Sequence, residues 1–239
     1  MNPVRAHTRS FRVRMGLAGT KMRSVGCGGG QLVAEIGEEF AAVYCEAMAT
    51  SKPALQLSGQ AEVLSSDIVY QGKVFWVTKD HVKEPGDVEA TRDVVRHNGS
   101  VVVLAVDTAT HPEDPGILLI RQYRHAAGKF LLELPAGRIE KGEELIPAGK
   151  RELIEETGYR AERWSKHTTY YASPGFLSEA MNIVLAEDLT LGEAAPEDDE
   201  RIDIHMTPLS EVMRLIHAGE IEDGKTLIGV LLYASQRSA

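Results

Sequence analysis

The chain has 239 residues, 43% of them hydrophobic, and a formal net charge of -9. That length supports one main domain with an appendage. No run approaches the roughly eighteen apolar residues of a membrane-spanning helix, and the acidic balance argues against a general nucleic-acid binder, which needs a positive surface. The two cysteines, Cys27 and Cys45, form neither a disulfide framework nor a zinc pattern, so a reducing, cytoplasmic setting is expected.

The first 34 residues carry six Arg or Lys and no acid, whereas the remaining 205 hold 20 basic against 35 acidic residues. This break in charge, beside a glycine cluster at 26–30, marks residues 1–54 as a disordered or atypical extension, with Met48 an alternative start. Residues 55–91 read as a small antiparallel sheet, with strands near 61–64, 67–70 and 74–78 and turns at Gly72 and Pro85-Gly86. A sheet of that size is poorly stable alone and needs the main domain or a second subunit to cover it.

The main domain is expected over 92–239. Its strands are read at 101–106, after the turn at His97-Asn98-Gly99, and at 117–121, 130–134, 181–185 and 202–204. Helices are expected from about 144 to 157, over 209–218 and over 225–235. Strands interrupted by a few helices, without a regular βα repeat, indicate an α+β layered domain. In the first helix Pro147 is acceptable only in the first turn, and Gly158 is a good stop. Leu145, Gly149 and Leu153 recur at four-residue intervals and face the core, with Gly149 allowing close approach.

On the same helix Glu152 lies one turn from both Glu155 and Glu156. Like charges at that spacing cost roughly a few tenths of a kcal/mol. A solvated acidic face tolerates this; a hard divalent cation with oxygen ligands would offset it, and Mg2+ suits such donors best, with Mn2+ a substitute. Arg151, four residues before Glu155, can orient and partly neutralise the cluster, and Glu143 can close the preceding turn.

The spacing Gly137-x5-Glu143-x7-Arg151-Glu152-Leu153-x-Glu155-Glu156-x-Gly158-Tyr159 resembles the Nudix box, with every acid present and an aromatic in the last place. The resemblance implies a Nudix α/β/α sandwich with a mixed sheet, preceded by the small N-terminal sheet. It implies metal ligation by Glu152, Glu155, Glu156 and the backbone oxygen of Ala136, and Gly137 is expected to allow that backbone approach. Pro147, Gly149 and Lys150 depart from commoner choices within the box without touching the ligands.

Arg121-Gln122-Tyr123-Arg124 reads by itself equally as a solvated surface. Beside Glu133-Leu134-Pro135-Ala136-Gly137 it resembles the ADP-sugar pyrophosphatase branch, which implies phosphate or ribose contacts for Arg121 and Arg124 and a substrate- or metal-placing role for Glu133. Pro174, fifteen residues past the box, strengthens that likeness and brings Gly175, Phe176 and Glu179 into the expected site. The acidic loop before 202–204 would be an ordinary solvated block by composition. The resemblance makes Glu200, with Glu197 in reserve, the residue that activates water or binds a further ion. The expected activity is Mg2+-dependent hydrolysis of the diphosphate bond of ADP-ribose to AMP and ribose 5-phosphate. The alternatives are another nucleoside diphosphate sugar such as GDP-mannose, or a sugar-nucleotide-sensing module that binds without turnover. The same branch implies a homodimer whose N-terminal sheet crosses to the partner, with Tyr70 or Trp76 stacking on a base. No nucleic-acid or membrane partner is expected.

Overall fold

A computed structural model of the chain describes residues 59–193 and 202–237, together with the backbone of two short strands, β1 (Val25–Cys27) and β2 (Gly30–Leu32). These two pair antiparallel within a unit spanning Met1–Gly59, and Gln60–Ala239 forms a second unit. The rest of the extension expected over 1–54, with Met48, lies outside the described residues.

Six consecutive apolar residues need cover on both faces of a strand, and in the second unit they receive it. In β6 (Ser100–Asp107) every side chain from Val101 to Val106 is fully buried. Alternation sends Val101, Val103 and Ala105 to one face, where they meet Leu118, Val184 and helix α1 (Leu145–Thr157) through Leu153. Val102, Leu104 and Val106 pack on the other with Ile117, Leu119 and Ile183. There the cover comes from α2 (Leu209–His217) through Val212 and α3 (Gly224–Arg237) through Val230. Full burial of a Val or Leu side chain contributes about 1.5–3 kcal/mol, so this strand is the anchor of the domain.

The sheet around it runs in the order β10 (Tyr159–Tyr171), β11 (Ala180–Leu191), β6, β7 (Gly116–Arg124), β12 (Ile202–Pro208). Two short strands join it: β8 (Lys129–Glu133) on β7 and β9 (Ala136–Arg138) on β6. β11 is parallel to β6 and the other pairings are antiparallel, giving the mixed sheet between helices that was expected. The thirteen-residue β10 was not expected. It is an edge strand whose apolar residues are interleaved with Arg, Glu, Lys and Thr, so it shows no apolar run.

Helix α1 has the expected bounds. Pro147 falls in its first turn, and Gly158 closes it at φ 73°, its N–H donating to the Ile154 carbonyl at 2.9 Å. A Cβ on Gly149 would lie 3.1 Å from Val184 and 3.2 Å from Trp164, so the expected close approach is real.

The three-stranded sheet β3 (Glu62–Gln71), β4 (Trp76–Glu84) and β5 (Val88–Arg96) is antiparallel. The two strands expected at 61–64 and 67–70 are one. Shifts in register between Val63 and Ser65 and between Ile68 and Tyr70 break the alternation that would have read as a single strand. β3 is exposed throughout and displays Val63, Ile68, Val69 and Tyr70. β5 is fastened to the 173–179 loop: Val95 N–H donates to the Phe176 carbonyl at 2.8 Å, and Ser178 N–H to the Val95 carbonyl at 2.9 Å. Among the described residues no helix is long and apolar enough to cross a membrane.

Candidate active site

The segment from Glu133 to Gly137, which runs from the end of β8 into β9, meets Glu156, Glu152, Arg124 and Lys225. At its far end Ala136 N–H donates to Glu156 Oε2 at 3.0 Å. A Cβ built on Gly137 would overlap the Glu152 carboxylate. Gly137 is therefore needed for space, not for backbone freedom, since it is absent from the positive-φ glycines. This refines the expected reason for a glycine here. Glu152 and Glu156 are only 9% and 4% exposed, so the acids most firmly expected as ligands are the most buried of the acids on α1.

Arg151 organises the acids. It donates through Nε and Nη2 to both oxygens of Glu143 at 3.0 Å, and through Nη1 to Glu152 at 2.7 Å and Glu155 at 3.0 Å. A further bond runs from Nη2 to the Arg138 carbonyl at 3.0 Å. The bonds to Glu143 come first in holding its guanidinium well above the usual arginine range; burial opposes them, and Glu152 and Glu155 add to them. The same fork keeps the Glu143 carboxyl below its ordinary range. Glu143 also accepts the Glu140 N–H at 3.0 Å, closing the turn as expected.

At the near end of the loop Glu133 is 1% exposed and accepts a bidentate fork from Arg124, at 2.8 and 2.7 Å. Its Oε2 also accepts from Lys225 Nζ, and Lys225 lies 3.1 Å from Asp223. Burial pushes the Glu133 carboxyl up, but Arg124 and Lys225 outweigh it and hold it below its ordinary value. The bond to Glu133 raises Arg124, burial opposes this, and the charges of Glu133, Glu156 and Asp223 add to it. Arg124 is thus in electrostatic reach of the acid helix.

Lys225, Asp223 and Thr226 were not expected in the site. Asp223-x-x-Thr226, with Asp223 just ahead of α3 and Thr226 in its first turn, is an N-cap signature that could have pointed to them. Asp223 Oδ2 does accept the Thr226 N–H at 3.0 Å and its hydroxyl at 2.6 Å.

The structure separates Arg121 from Arg124. In the β7–β8 register Arg121 shares a face with Tyr123 and Phe130, its guanidinium 4.2 Å from the Phe130 ring centroid and 3.6 Å from Asp203; Arg124 and Glu133 are on the opposite face. Glu179 accepts from the Ser100 hydroxyl at 2.6 Å and lies 3.6 Å from His97. Tyr170 senses both Glu179 and Asp223: burial first, then those two charges, push its hydroxyl up to about 12. Gly175 and Phe176 border a groove of ≈ 500 Å³ that also meets Arg92, Arg96 and Tyr171. Tyr70 is exposed and packs against Phe75 at 5.6 Å, while Trp76 is half-buried at the start of β4. Glu197 and Glu200 lie outside the described residues.

Among the described residues, no three His, Cys, Asp or Glu side chains converge at metal-binding spacing; Arg151 bridges Glu143, Glu152 and Glu155 instead. The donor set nevertheless fits a hard divalent cation. Glu152, Glu155, Glu156 and the Ala136 carbonyl offer oxygen only, and Gly137 leaves the Glu152 carboxylate room against the backbone.

A model of the NUDIX domain matches residues 96–228. An ADP-ribose pyrophosphatase from Bacillus subtilis (strain 168) is 33% identical over 173 residues, 72% of this chain and 91% of its own length. A GDP-mannose pyrophosphatase from Cronobacter sakazakii is 31% identical over 163 residues, covering 64% and 82%. Among solved structures, one described as an ADP compounds hydrolase superposes with a TM-score of 0.62 at 23% identity, over 74% of this chain and 94% of that one, a likeness of fold.

Proposed function

The chain belongs to the Nudix family, whose hydrolases depend on a divalent metal, and on that premise we propose that it hydrolyses the diphosphate bond of ADP-ribose to AMP and ribose 5-phosphate with Mg2+. One observation carries the reading. A single five-residue segment, Glu133–Gly137, joins the buried acids Glu152 and Glu156, suited to a cation, to the Arg124 guanidinium, suited to a phosphate. A diphosphate needs both signs of charge within its own length.

Mg2+ held by Glu152, Glu155, Glu156 and the Ala136 carbonyl, with Mn2+ able to substitute, would polarise the diphosphate and stabilise charge developing on its oxygens. Arg151 restrains Glu152 and Glu155 against their mutual repulsion. Arg124, fixed by Glu133, offers its guanidinium to a phosphate oxygen. Glu200, or Glu197 in its place, takes a proton from water as the water oxygen bonds to one phosphorus. The bridging P–O bond breaks and its electron pair leaves with the second phosphate, so no covalent intermediate on the protein is required. Phe176, Gly175 and Glu179 border the substrate, and Tyr70 or Trp76 stacks on the base. Arg121, on the opposite face of β7, contacts the ribose end of the substrate rather than the phosphate that Arg124 meets. A homodimer that covers Val63, Ile68 and Val69 of β3 accounts for that strand's exposed apolar residues.

The likeness to a GDP-mannose pyrophosphatase favours one second reading, in which the phosphate machinery is the same and the base and sugar differ. Product analysis over a panel of nucleoside diphosphate sugars, with Mg2+ and with chelator, separates the two. Preferential AMP release from ADP-ribose, abolished by chelator, is the expected result. Faster GMP release from GDP-mannose selects the second reading. A folded protein that turns over no member of the panel would instead be a binding module.

A further inference from the structure

We infer that Lys225 is a positioning residue for phosphate binding, acting through Glu133 on Arg124, and that Asp223, Lys225 and Thr226 together brace the loop on which the site is built. This rests on the phosphate role proposed above for Arg124.

The brace has two grips on neighbouring residues. Lys225, 8% exposed, donates to the buried Glu133 carboxylate, and the fully buried Thr226 hydroxyl accepts the Leu134 N–H at 2.8 Å. Asp223 holds both gripping residues, lying 3.1 Å from the Lys225 ammonium and capping the Thr226 N–H. Two residues beyond Leu134, Ala136 donates to Glu156. The N-terminus of α3 therefore sets the height of the loop against the acid helix.

Charge gives Lys225 its second task. Arg124 and Lys225 face Glu133 and Asp223, two cations against two anions. Without the lysine the cluster would carry a net negative charge beside the site of a dianionic ligand. Glu133, left with Arg124 alone, would draw that guanidinium inward and quench it. The buried ammonium lets Glu133 hold Arg124 without consuming its attraction for phosphate.

Two measurements on the intact protein test this: ADP affinity without added metal, by calorimetry, and the split between KM and kcat for the sugar nucleotide. Lys225→Met is expected to weaken ADP binding and raise KM by about tenfold or more, the scale seen when a partner orienting a binding group is lost, with a smaller change in kcat. Lys225→Arg, which keeps the charge, should recover most of the affinity. A purely structural lysine would lower Tm without that KM-selective pattern. In a Glu133→Gln background, the further change Lys225→Met should weaken ADP binding by clearly less than it does alone, because part of its effect passes through Glu133. If Lys225→Met does not fold, Asp223→Asn loosens the lysine without leaving Glu133 unpaired and should raise the ADP Kd a few fold. Wild-type affinity in folded Lys225→Met, or in Asp223→Asn where the methionine variant fails, overturns the inference, as does simple additivity with Glu133→Gln. Should the wild-type protein hydrolyse no sugar nucleotide, the proposed reaction falls while the ADP comparison still decides the role of Lys225. A wild-type protein that does not bind ADP overturns that role too.

Discussion

The 133–137 loop lies between two charge clusters built in opposite ways. On the α1 side one guanidinium, that of Arg151, answers Glu143, Glu152 and Glu155, and the cluster is rich in acid. On the α3 side Arg124 and Lys225 meet Glu133 and Asp223 in equal number, around the buried Glu133–Lys225 pair. Balanced buried charge fixes geometry, and removing one member is costly because its partner is stranded. A cluster with more acid than base is poor for stability and good for recruiting a cation. Chemistry should therefore be lost first when the α1 side is altered, and folding stability when the α3 side is.

The largest effect is expected from Glu156→Gln: at least about a hundredfold loss of turnover, the scale of a lost metal-positioning contact, with Tm nearly unchanged. Near-normal turnover in that folded variant would remove Glu156 from the reaction. Gly137→Ala comes next. Its methyl must expel the Glu152 carboxylate, and a loss of about tenfold to a hundredfold is expected while circular dichroism stays native. On the other side Glu133→Gln should cost about 3 kcal/mol in urea unfolding, since it removes the carboxylate that answers the buried Lys225 and the half-buried Arg124; a loss below the error of the measurement would mean the cluster is not a brace.

The pH dependence of stability sharpens the contrast. The folded-state carboxyl of Glu133 lies below its ordinary 4.5, so its stabilisation is complete above that value and is lost as pH falls through the folded-state value. Urea midpoints of the wild type should decline below pH 4.5, and the Glu133→Gln curve should be flatter there. Parallel curves would show that the acid response arises elsewhere. Gly149→Ala, away from both clusters, should have the smallest effect. Crowding against Val184 and Trp164 outweighs the helix propensity gained, for a net loss of about 1 kcal/mol and unchanged KM.

The two sides also differ in how far they could be read in the sequence. Glu152, Glu155 and Glu156 lie within five residues, and helical periodicity alone brings them to one surface. Arg151, Pro147 and Gly158 were legible for the same reason. The fully buried β6 was equally plain as an unbroken apolar run. Lys225 and Glu133 are 92 positions apart, and no local pattern announces that they meet. Gly137 was recognised, but its cause is a carboxylate arriving from fifteen residues away. Arg121 and Arg124 looked like one clamp because the phrase is compact, whereas strand alternation turns them to opposite faces. β10 escaped because an edge strand needs no apolar run, and β3 was split in two because register shifts disguise alternation.

The bond from Leu134 N–H to the Thr226 hydroxyl has a consequence for assembly. During synthesis the β8–β9 segment emerges long before its support, so the Leu134 amide must wait for α3 to dock. A ribosome-bound chain stopped short of Thr226 would hold Glu152, Glu155 and Glu156 of α1 and lack this support for the neighbouring segment. Seating of the 133–137 segment is thereby tied to the docking of α3.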